Sequence, residues 1–199
     1  MSHHRIACEY VHINLLTGES ESPEFLKLNP MGYVPALEAE GIKGYPGTFL
    51  ITESLAMIRW FEQRFQLRAT LLGKSPEEEA KVWQLAETIN AGTQPLQNLL
   101  VLEKLTDDAS KRKEWAQTWN HKGLEAYEQL VSQSAGRYSV GDNFSLADIC
   151  LIPQCYNAKR FEIDLEKYPT VNKIYNEVIT LDTYHASHPD RFMPEGFKP

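Results

Sequence analysis

The sequence predicts two units of different class, an α/β unit over residues 1–70 and an all-helical unit over residues 71–199. Two observations carry this reading. Short alternating, β-branched runs occur only in the first third, and every periodic segment after it repeats at helical spacing. A chain of 199 residues has room for one domain or two small ones, at ~100–200 residues for a typical domain.

The elements follow in order. Residues 10–15 (YVHINL) alternate and are β-branched, predicting a strand, and the polar stretch 17–22 with Gly18 is a loop. Ser22 is placed to cap a short helix over 23–28, with Pro23 at its first position, where a missing N–H does no harm. Asn29-Pro30-Met31-Gly32 is a turn cluster. Residues 34–38 then form a strand entered through Pro35, followed by a glycine-bearing turn over 41–47 and a second strand over 48–52. The run SLAMIRWFEQRF (54–65) places the apolar residues Leu55, Ile58, Trp60, Phe61 and Phe65 at helical intervals, predicting a helix.

Beyond it, Ser75-Pro76-Glu77-Glu78 is a capping box with proline at the first helical position. The helix it opens runs through Trp83, Ala86 and Ile89 towards Leu102, with a kink expected where Gly92 and Pro95 interrupt it. A further helix spans 109–133. Ser145-Leu146-Ala147-Asp148 is a variant capping box opening a helix to about Phe161, and Pro169 opens a last one through Val178 before a Pro/Gly-bearing tail.

Composition narrows the function. The 20 basic and 27 acidic residues give a net charge of −7 with no Lys/Arg cluster, which disfavours a nucleic-acid partner. No apolar run approaches the ~20 residues of a membrane span, and MSHHRIACEY lacks an apolar signal core, so no membrane partner is expected and the expected address is the cytoplasm. Cys8, Cys150 and Cys155 form no CxxC pair, which suits a reducing compartment. His3-His4 and His185-x-x-His188 have no Cys, Asp or Glu at metal-ligand spacing, so no metal is expected. GxGxxG, GxxxxGK[ST] and GxSxG are all absent.

Several positions could carry chemistry. A cis Val34–Pro35 bond would turn the Val34 N–H and C=O outward to pair with an extended peptide-like ligand; the alternative is a trans proline at an edge strand. Glu53-Ser54 lies at a strand-to-helix junction, where Ser54 as cap and the first N–H groups would face an anion; the alternative is a plain cap. Asn90, Gln94, Gln97 and Asn98 recur at helical spacing, either lining a groove with amides or satisfying backbone opened by Pro95. Arg160 near a helix C-terminus is either a favourable end charge or a carboxylate clamp. Nothing activating flanks Cys8.

Together, the strings YVHINLLTGE, PEFLKLNPMGYVPALE, ESLAMIRWFEQRF, INAGTQPLQNL, GDNFSLADICLIPQCYNAKRF and SHPDRF resemble the glutathione transferase superfamily, specifically its zeta class, the maleylacetoacetate isomerases. The resemblance runs from Tyr10 through nearly the whole chain. It implies a thioredoxin-like first domain, a helical second domain, glutathione as cofactor, a small-molecule substrate and a homodimer. It implies cofactor-binding roles for Val34 before a cis Pro35, Glu53, Ser54, Gln94 and Asn98, and a substrate-carboxylate role for Arg160. The implied reaction is cis–trans isomerisation of maleylacetoacetate to fumarylacetoacetate, with transferase activity as a related possibility. Family members begin with a strand and a Ser-Ser-Cys or Ser-Ser-Ala turn leading into a first helix. This sequence contains no Ser-Ser pair, so the resemblance implies an N-terminally short first domain and leaves the catalytic position unassigned. Ser20 also stands where relatives commonly carry glutamine, and Leu100 where they carry a small polar residue.

Overall fold

The computed structural model describes Met1, residues 6–65 and residues 70–192. The expectations for His3-His4 and for the tail from residue 193 fall outside these. The chain divides into two compact units, Met1–Arg68 and Ala69–Pro199.

The first unit is built on helix α1 (Pro23–Leu28), strands β1 (Ala36–Ala39) and β2 (Phe49–Thr52), and helix α2 (Ser54–Phe65). Ser22 accepts the Phe25 N–H and Pro23 sits at the first position, so α1 starts as its sequence dictates. The strands pair antiparallel with Ala36 opposite Thr52 and Ala39 opposite Phe49. Gly41, Gly44 and Gly47, all at positive φ, carry the chain between them. Phe25, Met57 and Phe61 are the unit's buried apolar side chains, and Phe49 stacks on Trp60 with centroids 5.0 Å apart.

The strand expected over 10–15 does not form. Alternation fixes which face a strand would bury, but a strand must also join a sheet, and the sheet among the described residues consists of β1 and β2 alone. Val11 is 77% exposed, and the segment ends in a 3-10 turn, Leu15–Thr17, capped by Asn14.

The second unit holds helices α3 (Pro76–Asn90), α4 (Leu99–Leu105), α5 (Ala109–Val131), α6 (Leu146–Arg160), α7 (Pro169–Val178) and α8 (Asp182–Ser187). Its core joins Leu85 and Ile89 of α3 to Leu124, Tyr127 and Val131 of α5, to Leu151 and Cys155 of α6 and to Ile174 and Val178 of α7. Ser75 caps α3 by accepting the Glu78 N–H. At the start of α6 the buried Asp148 carboxylate accepts the Ser145 N–H (2.8 Å), the Ser145 hydroxyl (3.0 Å) and the Ser139 N–H (2.9 Å). Burial nevertheless pushes its pKa above the usual carboxylate value, against the pull of those hydrogen bonds.

The helix expected to kink at Gly92 and Pro95 instead breaks. α3 ends at Asn90, a 3-10 turn runs Gln94–Gln97, and α4 starts afresh with Asn98 as its cap. Proline has no N–H to continue an i→i−4 ladder, and Asn98 offers the new helix its own start by accepting the Leu100 N–H at 3.0 Å. α8 was not visible as periodicity. No helix among the described residues is long and apolar enough to cross a membrane.

Candidate functional site

In the first unit the turn before β1 sets the geometry. Asn29 is buried; its side-chain N–H donates to the Tyr33 carbonyl (2.6 Å) and its Oδ1 accepts the Met31 N–H (3.1 Å). Gly32 turns at φ +68°, and a Cβ there would stand 3.1 Å from the Ser20 carbonyl, so only glycine fits comfortably. This braced turn delivers the chain to a cis Val34–Pro35 bond, with Val34 43% exposed just before β1. The sequence marked the turn but not Asn29 as its brace; an asparagine opening an Asn-Pro-x-Gly string was the available signal.

The β1/β2 register places the start of β1 and the exit of β2 at the same end of the sheet. Val34 therefore lies at the end where Glu53 and Ser54 leave β2. Glu53 adopts φ +67°, the left-handed region that L-residues rarely occupy, while its carbonyl accepts the Met57 N–H (3.0 Å). Helix α2 begins at Ser54, so Ser54 is the first helical residue and Glu53 holds the position before it, one place earlier than expected for the cap. Both are exposed. The first N–H groups of a helix have no carbonyl one turn back, so this end of α2 presents donors and a hydroxyl suited to a carboxylate. The exposed Glu53 carboxylate beside it is suited to an ammonium group.

In the second unit Gln94 is exposed at the start of the 3-10 turn, and the half-buried Asn98 ends it. Gln97, between them, is only 7% exposed and faces inward. Its Nε2 donates to the Thr93 carbonyl (3.0 Å), and its Oε1 accepts N–H groups from Asn120 (2.5 Å), Asn157 (2.6 Å) and Gln154 (3.2 Å). The proposed amide stripe is therefore divided: Gln94 lies outside, Gln97 is in the core, and Asn90 bonds Glu87 at the surface.

Arg160 is the exposed last residue of α6. No carboxylate among the described residues lies in ion-pair range of it. One turn back, Tyr156 donates its hydroxyl to Asp190 (2.9 Å). Cys150 and Cys155 are unsuited to nucleophilic work, since burial pushes both thiols up to about 12. No metal-holding cluster of His, Cys, Asp or Glu occurs among the described residues.

Comparison with known proteins adds family identity. Residues 1–69 match the model for the glutathione S-transferase N-terminal domain, and residues 93–183 that for the C-terminal domain. The chain is 40% identical to maleylacetoacetate isomerase of Mus musculus over 92% of its own length and 81% of the relative's. It is 41% identical to probable maleylacetoacetate isomerase 2 of Drosophila melanogaster, over 86% and 71%. Among solved structures, the maleylacetoacetate isomerase of Anaeromyxobacter dehalogenans with glutathione bound in its active site superposes with a TM-score of 0.85 at 39% identity. That match covers 98% of this chain and 89% of the other.

Proposed function

Since this chain belongs to the glutathione S-transferase family, among its zeta-class maleylacetoacetate isomerases, we propose that it is a glutathione-dependent cis–trans isomerase converting maleylacetoacetate to fumarylacetoacetate. The observation that supports this most is the shared end of the β1/β2 sheet. There Val34, 43% exposed before cis Pro35, and the Glu53–Ser54 junction lie at the same end of one small sheet. Glutathione is a peptide with a free amino-acid end, and these groups fit it. The Val34 N–H and C=O pair with its backbone. The Ser54 hydroxyl and the first turn of α2 hold its γ-glutamyl carboxylate, and the Glu53 carboxylate complements the neighbouring ammonium.

When bound, glutathione supplies the sulfur nucleophile that adds reversibly to the conjugated double bond and so allows it to rotate. What the chain must provide is orientation. Gln94 and Asn98 present amide groups without a charge to desolvate, and the guanidinium of Arg160 takes a substrate carboxylate in a two-pronged hydrogen bond.

The test is conversion of maleylacetoacetate by the purified chain with and without glutathione. Glutathione-dependent conversion is expected, with Ser54→Ala weakening glutathione affinity and Arg160→Ala raising KM for the substrate. If Ser54→Ala leaves affinity unchanged, the cofactor site is elsewhere; if Arg160→Ala changes neither KM nor rate, the clamp is wrong. Calorimetric binding of glutathione without conversion of maleylacetoacetate would refute the isomerase reading while leaving the cofactor site standing. We also propose a homodimer, whose seam would cover the exposed Leu99, Leu100, Val101 and Leu105 of α4, and residence in the cytosol, in keeping with three unpaired cysteines.

A further inference from the structure

The amides beneath the Gln94–Gln97 turn have only one consistent arrangement. Gln97 Nε2 must be the donor facing the Thr93 carbonyl, which can only accept. Asn120 Nδ2 must likewise face the Ala116 carbonyl, at 2.8 Å. Those two anchors leave Gln97 Oε1 and Asn120 Oδ1 as the acceptors pointing at Gln154. Its Nε2 therefore donates to both, at 3.2 and 2.6 Å. Gln154 is 2% exposed, and its remaining oxygen is the one buried side-chain polar atom without a hydrogen-bond partner among the described residues. A fold keeps an arrangement that strands a buried acceptor when the rest of the network fixes something.

We infer that Gln97 is a positioning residue: through Asn120, Gln154 and Asn157 it locks the turn carrying Gln94 and Asn98 to the end of α6 carrying Arg160. Asn157 lies one turn before Arg160 on α6 and reaches Gln97 Oε1 at 2.6 Å, while Gln97 is the residue next to Asn98. The link thus runs from one candidate ligand-holding segment to the other through two side chains. The turn has a second tie, the Trp115 indole N–H donating to the Leu96 carbonyl at 2.9 Å, which also reports whether the turn is seated. The assignment of Gln97 as positioning rests on the reading of Asn98 and Arg160 given above; the locking of the turn does not.

The test uses Asn157→Asp, which keeps the shape of the side chain but replaces the donor with an acceptor, and Gln97→Met, which removes every amide bond at that position. Val178→Ala, in α7 away from the network, serves as the control for plain destabilisation. Hydrogen exchange of the Trp115 indole N–H is followed by NMR, and glutathione affinity by calorimetry. Both network variants should lose at least tenfold of the indole protection, and glutathione affinity should fall at least fivefold. Val178→Ala should lower Tm without either change. Unaltered indole protection in both variants, or an equal loss in Val178→Ala, overturns the lock. A loosened indole with wild-type glutathione affinity overturns the positioning role. Wild-type protein that binds no glutathione refutes the cofactor reading and with it the positioning role, while the indole measurement still decides the lock.

Discussion

Gly123 lies in the middle of α5, a 23-residue helix, and is buried. Helix propensity alone says that Gly123→Ala should stabilise the chain by about 0.8–1.0 kcal/mol. The structure says the reverse. A methyl group there would overlap Oγ1 and Cγ2 of Thr93 and stand 2.8 Å from its Cβ. Thr93 cannot simply rotate away, because it is β-branched, 1% exposed, and donates its hydroxyl to the Thr88 carbonyl at 2.7 Å. Overpacking of this kind costs about 1–3 kcal/mol, and loss of the Thr93 hydrogen bond about 0.5–1.5 more. Set against the propensity gain, the net is a destabilisation of about 2 kcal/mol. For a chain of this size that corresponds to about 4–8 °C in Tm. Urea titration followed by circular dichroism measures it. The double variant Thr93→Gly/Gly123→Ala moves the notch to the facing residue and should recover at least about 1 kcal/mol relative to the sum of the single changes. A Gly123→Ala protein as stable as wild type, or more so, would refute the argument that Thr93 is keyed into α5.

Three further outcomes are expected. At pH 8 Cys8, which is exposed, should react rapidly with a thiol reagent, while Cys150 and Cys155, held up at about 12, should react only on unfolding; three fast thiols would contradict the core packing. Glu53→Gly should leave Tm unchanged or raise it, because release of the left-handed strain, about 1–2 kcal/mol, equals or exceeds glycine's entropic cost of about 0.5–1. Glu53→Ala keeps the strain and should be less stable by scanning calorimetry than Glu53→Gly, and both should bind glutathione more weakly. For Asp148, burial raises the folded pKa above its ordinary 3.8, so the unfolded chain releases that proton first as pH rises, and the contribution of Asp148 to stability is full below 3.8 and falls through the folded value. The stability gap between wild type and Asp148→Asn should therefore shrink as pH rises from about 4 towards neutrality, by about 1.4 kcal/mol for each unit separating the two values, and a gap that widens instead would show that the three hydrogen bonds outweigh burial.

The α/β-then-helical division was legible because it rests on local rules: proline and serine at helix starts, apolar periodicity, and glycines where the chain turns at positive φ. The failures all concern what a segment meets. Residues 10–15 have a strand's side-chain pattern, yet the two strands among the described residues, β1 and β2, form a sheet with each other that does not include this segment, and no local pattern encodes sheet membership. Pro95 was readable as an interruption, but whether a helix bends or restarts depends on whether the next residues can cap, and Asn98 can. The amide stripe was seen as one face because spacing ranks residues by angle alone, whereas the structure turns Gln97 inward and leaves Gln94 out. The sequence did hold a signal for that difference. Asn120 falls in phase with Ala116, Leu124 and Tyr127, and Gln154 sits among Leu151, Cys155 and Ala158, all buried. A single amide in an apolar phase breaks a helix's pattern. Two such amides on helices that pack in one unit, with a third in the turn nearby, satisfy one another. Since a buried amide without partners would be costly, their joint presence argues for contact between α5, α6 and the turn before any coordinate is known.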